Sequence, residues 1–167
     1  MITVYLYISF SGVDSSSVQT QKCLDGYCSG RKHGKPEIVK DIYGKPHSNI
    51  PGVYLSVSHA PPAWVCAVAS APIGIDIERT DVKIAEPLHS FLLTNNDASV
   101  VKTWTKLESC SKLRGSGLHE DLDSLMMCIQ SGRFHFFDVK LDDNYCCTVC
   151  MSSDIEISNI DILIMPF

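Results

Sequence analysis

Residues Ile2, Val4, Leu6, Ile8 and Phe10 alternate with Thr3, Tyr5, Tyr7 and Ser9, the two-residue period of a half-buried strand. The polar stretch Ser11–Ser17 follows, and its serines suit the cap of a helix running to about Cys28. Gly30, Gly34 with Pro36, and Gly44 with Pro46 then punctuate a turn-rich region. Three short apolar runs come next, Val53–Ser58, Trp64–Ser70 and Ile73–Glu78. Pro61–Pro62 and Ala71–Pro72 separate them, as between neighbouring strands. Pro87 interrupts a short helical piece ending near Phe91–Leu93.

Asn96 suits the N-cap of a longer helix, with Asp97 in its first turn and Val100, Val101, Trp104 and Leu107 along one face. Lys112 and Arg114 complement the last turn, and Gly115 is a natural residue just past the end. The remainder predicts three more strands, Arg133–Lys140, Asn144–Met151 and Ile155–Ile164, with Asp142-Asp143-Asn144 as a hairpin turn. Strands and helices thus come in two rounds. That order predicts an α+β fold with each helix packed on an antiparallel sheet.

At 167 residues the chain has room for one core, or for two small lobes that share one. The net charge of −5 argues against a nucleic-acid or anionic-membrane partner. Lys22, Arg31, Lys32, Lys35, Lys40 and Lys45 nevertheless cluster early, a local basic patch that suits a small anionic ligand or is a solvated face. Met1–Phe10 lacks the positive flank and small-residue cleavage site of a signal peptide, so a cytoplasmic protein is expected. The eight cysteines then read as small buried hydrophobes, and zinc ligation by Cys146, Cys147 and Cys150 is the alternative.

In Ile73-Gly74-Ile75-Asp76-Ile77-Glu78 the strand period puts Asp76 and Glu78 on one face, opposite Ile75 and Ile77. Two such carboxylates are either solvated acids of an edge strand or hard oxygen ligands for Mg²⁺. Along Trp104-Thr105-Lys106-Leu107-Glu108-Ser109-Cys110-Ser111-Lys112, Glu108 and Lys112 share a helix face. They form a surface ion pair there, or take separate partners: a metal or proton for Glu108, a phosphate for Lys112. Gly44-Lys45-Pro46 and the strand end Ser58-His59 complete the candidate set. No acid and nucleophile stand at a spacing that makes a hydrolase triad with His59.

Taken in order, Gly44-Lys45-Pro46, Ser58-His59, Gly74–Glu78, Trp104-Thr105 with Glu108 and Lys112, and Gly115-Ser116-Gly117-Leu118 resemble one signature. It is that of the 4′-phosphopantetheinyl transferases of the surfactin-synthetase-activating type. The resemblance runs from about Pro36 to Leu118 and implies transfer of phosphopantetheine from coenzyme A to a serine of an acyl- or peptidyl-carrier protein, releasing 3′,5′-ADP. By match of motif, Asp76, Glu78 and Glu108 would hold Mg²⁺, with Asp76, Glu108 and Lys112 as the catalytic set. Lys45, Pro46, Ser58, His59 and Lys112 would bind coenzyme A, with Arg31, Lys32 or Lys35 at its 3′-phosphate on grounds of charge and position.

The resemblance further implies a monomer of two similar α+β lobes in a pseudo-dimeric arrangement. An abbreviated N-terminal lobe would span residues 1–70 and a C-terminal lobe with the metal site 71–167, the active site lying between them. Two departures stand out. Leu107 occupies a position that is lysine in many members, and a helix points Lys106 about 100° away from it. The segments before Pro36 and between Asp97 and Trp104 are short. A non-catalytic coenzyme A-binding relative and a zinc-binding interaction module are the competing readings.

Overall fold

The computed structural model describes residues 1–13, 15–31, 34–42, 44–94, 99–115 and 121–165. The alternating N-terminal run forms β1 (Ile2–Ser9), and α1 (Ser16–Cys28) follows, with the Ser15 side chain accepting the Val18 N–H as its cap. The turn-rich region contains a two-stranded ribbon, β2 (Ile38–Lys40) and β3 (Pro46–Ser48). The three apolar runs become β4 (Tyr54–Ala60), β5 (Ala63–Ala69) and β6 (Ile73–Arg79). Two helices come next, α2 (Leu88–Thr94) and α3 (Val100–Arg114), and then α4 (Leu122–Gln130). The chain closes with β7 (Phe134–Asp138), β8 (Tyr145–Ser152), a single 3-10 turn and β9 (Ile160–Met165).

The fold is α+β, as the element order predicts. One sheet has the order β4-β5-β1-β9 and the other β6-β8-β7. Val4, Leu6, Val65 and Ala67 of the first pack against Ile73, Ile75, Ile77, Val149 and Met151 of the second, so the two sheets share one core. Burying each valine, leucine, isoleucine or methionine among them contributes ~1.5–3 kcal/mol. The outer face of the first sheet carries α1 through Cys23, Leu24 and Tyr27 against Trp64, Cys66 and Val68. The outer face of the second sheet carries α3 and α4, where Cys110, Cys128 and Cys150 meet.

Three features differ from the sequence expectation. β9 pairs parallel with β1, Ile2 opposite Ile160 through Tyr7 opposite Met165, so the first sheet is mixed and its edge strand comes from the far end of the chain. The cap of α3 is Ser99, whose side chain accepts the Lys102 N–H. Asn96 and Asp97 lie outside the described residues, as do Ser116, Gly117 and Leu118. α4 and the β2–β3 ribbon were not expected at all.

Candidate active site

Strand alternation builds the site. Ile73, Ile75 and Ile77 enter the shared core, so Gly74, Asp76 and Glu78 face α3. α3 approaches closely because Gly74 has no side chain: a Cβ there would collide with the Ser109 carbonyl oxygen and stand 2.6 Å from the Leu113 nitrogen. A buried hydroxyl pair, Thr105 with Thr148 at 2.9 Å, fixes the same helix to β8. Thr148 is the cross-strand partner of Asp76. The helix is therefore pinned on both sides of the carboxylate.

Asp76 is 2% exposed. Its Oδ1 accepts from the Ser58 hydroxyl at 2.8 Å and from the Lys112 ammonium at 2.6 Å. Lys112 Nζ also donates to Ser58 Oγ at 2.8 Å, closing a triangle across β4, β6 and α3. Ser56, two residues before Ser58 on the same face, accepts the Ile75 N–H and ties β4 to β6. Asp76 Oδ2 is buried and has no hydrogen-bond partner.

Burial pushes the Asp76 carboxyl above the usual range, and the Lys112 charge with its hydrogen bond pulls it back. Glu78 is pushed up by burial and by Asp76, with Trp104 and Lys112 opposing. Glu108 is pushed up to about 7, first by burial and then by the Asp76 charge, against the pull of Lys112. Three carboxylates thus feel one another around a single ammonium. Lys112 pairs with the buried Asp76 and not in the Glu108–Lys112 surface pair that their spacing allows.

The donor set fits a hard divalent cation in two respects: the groups are carboxylates, and one buried oxygen is left over. As they lie, no three His, Cys, Asp or Glu side chains among the described residues form a metal-holding group. Lys112 takes one oxygen of Asp76 in that arrangement.

The sequence-predicted residues are not all brought together. Ser58 joins Asp76 and Lys112, but alternation turns His59 to the other face of β4. His59 is exposed and lines a cavity of about 270 Å³ with Pro61, Pro62 and Trp64 beside the start of α1. Lys45 reaches the C-terminal turn of α3, its Nζ donating to the Lys112 carbonyl at 2.5 Å. Burial pulls the Lys45 amine down, with Asp41 opposing. Pro46 opens β3 directly after it, half-buried.

A cleft of about 640 Å³ opens at that helix end, walled in part by Lys45, His47, Asp41, Tyr54 and Arg114. Its walls include none of the three carboxylates. Arg31 stacks 3.8 Å over the Tyr27 ring and lines a smaller cavity that shares Pro51, Gly52 and Val53 with the large cleft. Lys35 is paired with Glu37 on the surface at 3.3 Å. Lys32 lies outside the described residues.

Sequence reasoning missed Arg114 and His47 as cleft residues. Arg114 was legible only as a charge at a helix end, and His47 lies in the unforeseen ribbon. Leu107 is fully buried among Leu92, Leu125 and Met126, so the position departing from the family signature is a core position here. No two of the eight cysteines are joined in a disulfide, and seven are buried. No helix among the described residues is long and apolar enough to cross a membrane.

Fold and site together define an α+β protein in which the buried Asp76 is held by Lys112 and Ser58 where one sheet meets the other. No family model matches the chain. Two curated proteins are similar to it. The 4′-phosphopantetheinyl transferase gsp of Aneurinibacillus migulanus is 34% identical over 97 residues, covering 51% of this chain and 40% of that protein. The 4′-phosphopantetheinyl transferase Sfp of Bacillus subtilis (strain 168) is 35% identical over 117 residues, covering 62% of this chain and 51% of that protein. The chain is thus similar over part of its length to two 4′-phosphopantetheinyl transferases, and it spans about half the length of the curated relatives it matches.

Proposed function

We propose that the chain transfers 4′-phosphopantetheine from coenzyme A to a serine hydroxyl of an apo acyl- or peptidyl-carrier protein. The observation that carries this reading is the convergence of Asp76, Ser58 and Lys112 with one Asp76 oxygen left over, on the residues that match the signature. The working site would lie between residues 1–70 and 71–167, in a monomer of the cytoplasm.

In this reading Asp76, Glu78 and Glu108 hold Mg²⁺. When bound, the ion neutralises charge on the pyrophosphate and on the leaving group. Lys112 binds a phosphate oxygen from its place one turn beyond Glu108. Lys45 and Arg114 bind phosphates of coenzyme A along the 640 Å³ cleft. Ser58 orients Asp76 and Lys112 through its two hydrogen bonds. Arg31, in the adjoining cavity, serves the 3′-phosphate better than Lys35, whose ammonium is paired and solvated. His59 reaches coenzyme A only from the α1 side of β4.

The carrier serine oxygen bonds to the β-phosphorus, the bridging oxygen–phosphorus bond breaks, and 3′,5′-ADP leaves. Glu108, or water that it orients, accepts the serine proton.

The test is intact-mass spectrometry of an apo carrier protein incubated with the chain, coenzyme A and Mg²⁺, beside an EDTA control. The reading expects a gain of one phosphopantetheine that EDTA abolishes. No gain across several carrier types, with coenzyme A still bound, establishes a non-catalytic relative instead.

A further inference from the structure

Lys112 holds Asp76 by a 2.6 Å contact, and the Ser58 hydroxyl braces both groups. The ammonium supplies to Asp76 Oδ1 the positive charge that a divalent cation would otherwise supply. The same carboxylate keeps its second oxygen buried and without a hydrogen-bond partner. Glu78 and Glu108 lie within electrostatic reach of both Asp76 and Lys112. Yet the carboxylates do not close up into a three-ligand group. One ammonium among three carboxylates cannot neutralise the cluster, but it can occupy the donor that a cation needs first.

We infer that Lys112 is a built-in counter-ion that competes with the divalent cation for Asp76 and must swing off it before the cation is fully held. This inference rests on the transferase reading of the site and adds an order to it. A ligand with a pyrophosphate, such as coenzyme A, offers Lys112 another anion within reach of the end of α3. Binding that ligand draws the ammonium away and opens Asp76 to the cation. Cation and pyrophosphate ligand then bind cooperatively, and the cation alone binds weakly. Lys112 acts here as a positioning residue, distinct from its later contact with phosphate.

Lys45 fits the same device. Its ammonium donates to the Lys112 backbone carbonyl, so the last turn of α3 is held by a contact that does not involve the Lys112 side chain. The Lys112 side chain is 28% exposed, against 3% for Asp76, so it has solvent to move through.

The test is Mn²⁺ binding to the full chain by electron paramagnetic resonance, without any nucleotide, for the unmutated protein and for Lys112→Met and Lys112→Gln. The inference expects both variants to bind Mn²⁺ about tenfold or more tightly than the unmutated chain, a coupling of ordinary size. A merely structural lysine would leave the affinity unchanged or lower it. Mn²⁺ affinity that does not rise in either variant overturns the inference.

Should both variants fail to fold, acetylation of Lys112 in the unmutated chain, read by peptide mass spectrometry, decides the question. Mn²⁺ is expected to speed that acetylation severalfold and coenzyme A to suppress it; a rate indifferent to Mn²⁺ overturns the inference. No Mn²⁺ binding to any form, with or without coenzyme A, overturns the metal reading of Asp76 itself and the inference with it.

Discussion

Glu108 owes its high pKa to being buried beside Asp76 while Lys112 is committed to that same Asp76. The consequence for stability has a definite sign. An acid with a folded-state pKa of about 7 and an ordinary value near 4.5 binds more protons folded than unfolded in between. The Glu108 contribution to stability is therefore fully present below about 4.5 and is lost as pH rises through about 7. Asp76 and Glu78 are shifted in the same direction and add to the slope. The melting temperature of the metal-free chain is expected to fall by several °C between pH 5.5 and 8, and Glu108→Gln should flatten that fall. Thermal melts across that range check it. A melting temperature that rises with pH in the unmutated chain would contradict the charge balance described here.

At the scale of elements, the site depends on how closely α3 lies on β6. Gly74 makes that approach possible, since a Cβ would meet backbone atoms of α3 that cannot rotate away. Gly74→Ala is expected to cost ~2 kcal/mol or more, the cost of overpacking against backbone, and to lower the melting temperature accordingly. It should also reduce transfer, because the displaced helix carries both Glu108 and Lys112. An unchanged melting temperature would show that α3 accommodates the methyl.

Element by element, the legible parts share a cause. β4, β5 and β6 are apolar runs bounded by prolines, and α3 has an apolar face with a glycine at its end, where φ is +76°. α4 has a readable signal of its own: Leu122, Leu125, Met126 and Ile129 follow the helical spacing, and Asp121 caps them. The β2–β3 ribbon has three residues per strand, too few for an alternating pattern to separate it from a loop. In the site, the pairing of Asp76 with Glu78 on one face was legible from period two. So was the opposite facing of Ser58 and His59, although the motif placed them together. The Lys112–Asp76 contact was not legible, because it joins residues brought together only by packing.

At the scale of the whole molecule, β9 holds the two ends of the chain together. Ile160 and Ile162 pack on the shared core, and β9 pairs with β1 along most of its length. Local pattern predicts a strand there but not its parallel partner, since that pairing is set by how the sheets close around their core. Removing residues 160–167 is expected to expose the β1 edge and the core flank, abolishing cooperative unfolding or solubility. Urea unfolding followed by circular dichroism tests this, and an unchanged midpoint would contradict it.

The same molecule-wide view makes the site a seam: Ser58 belongs to one sheet, Asp76 to the other, and Lys112 to the helix laid on the second. The direct test of that seam as a catalytic centre is the rate of holo-carrier formation by intact mass for the unmutated chain, Asp76→Ala and Glu108→Ala. All three must be shown folded by circular dichroism. The expected result is complete conversion by the unmutated chain, with each variant slowed by about a hundredfold or more. Near-normal turnover by either folded variant, or no conversion by the unmutated chain, would contradict the account.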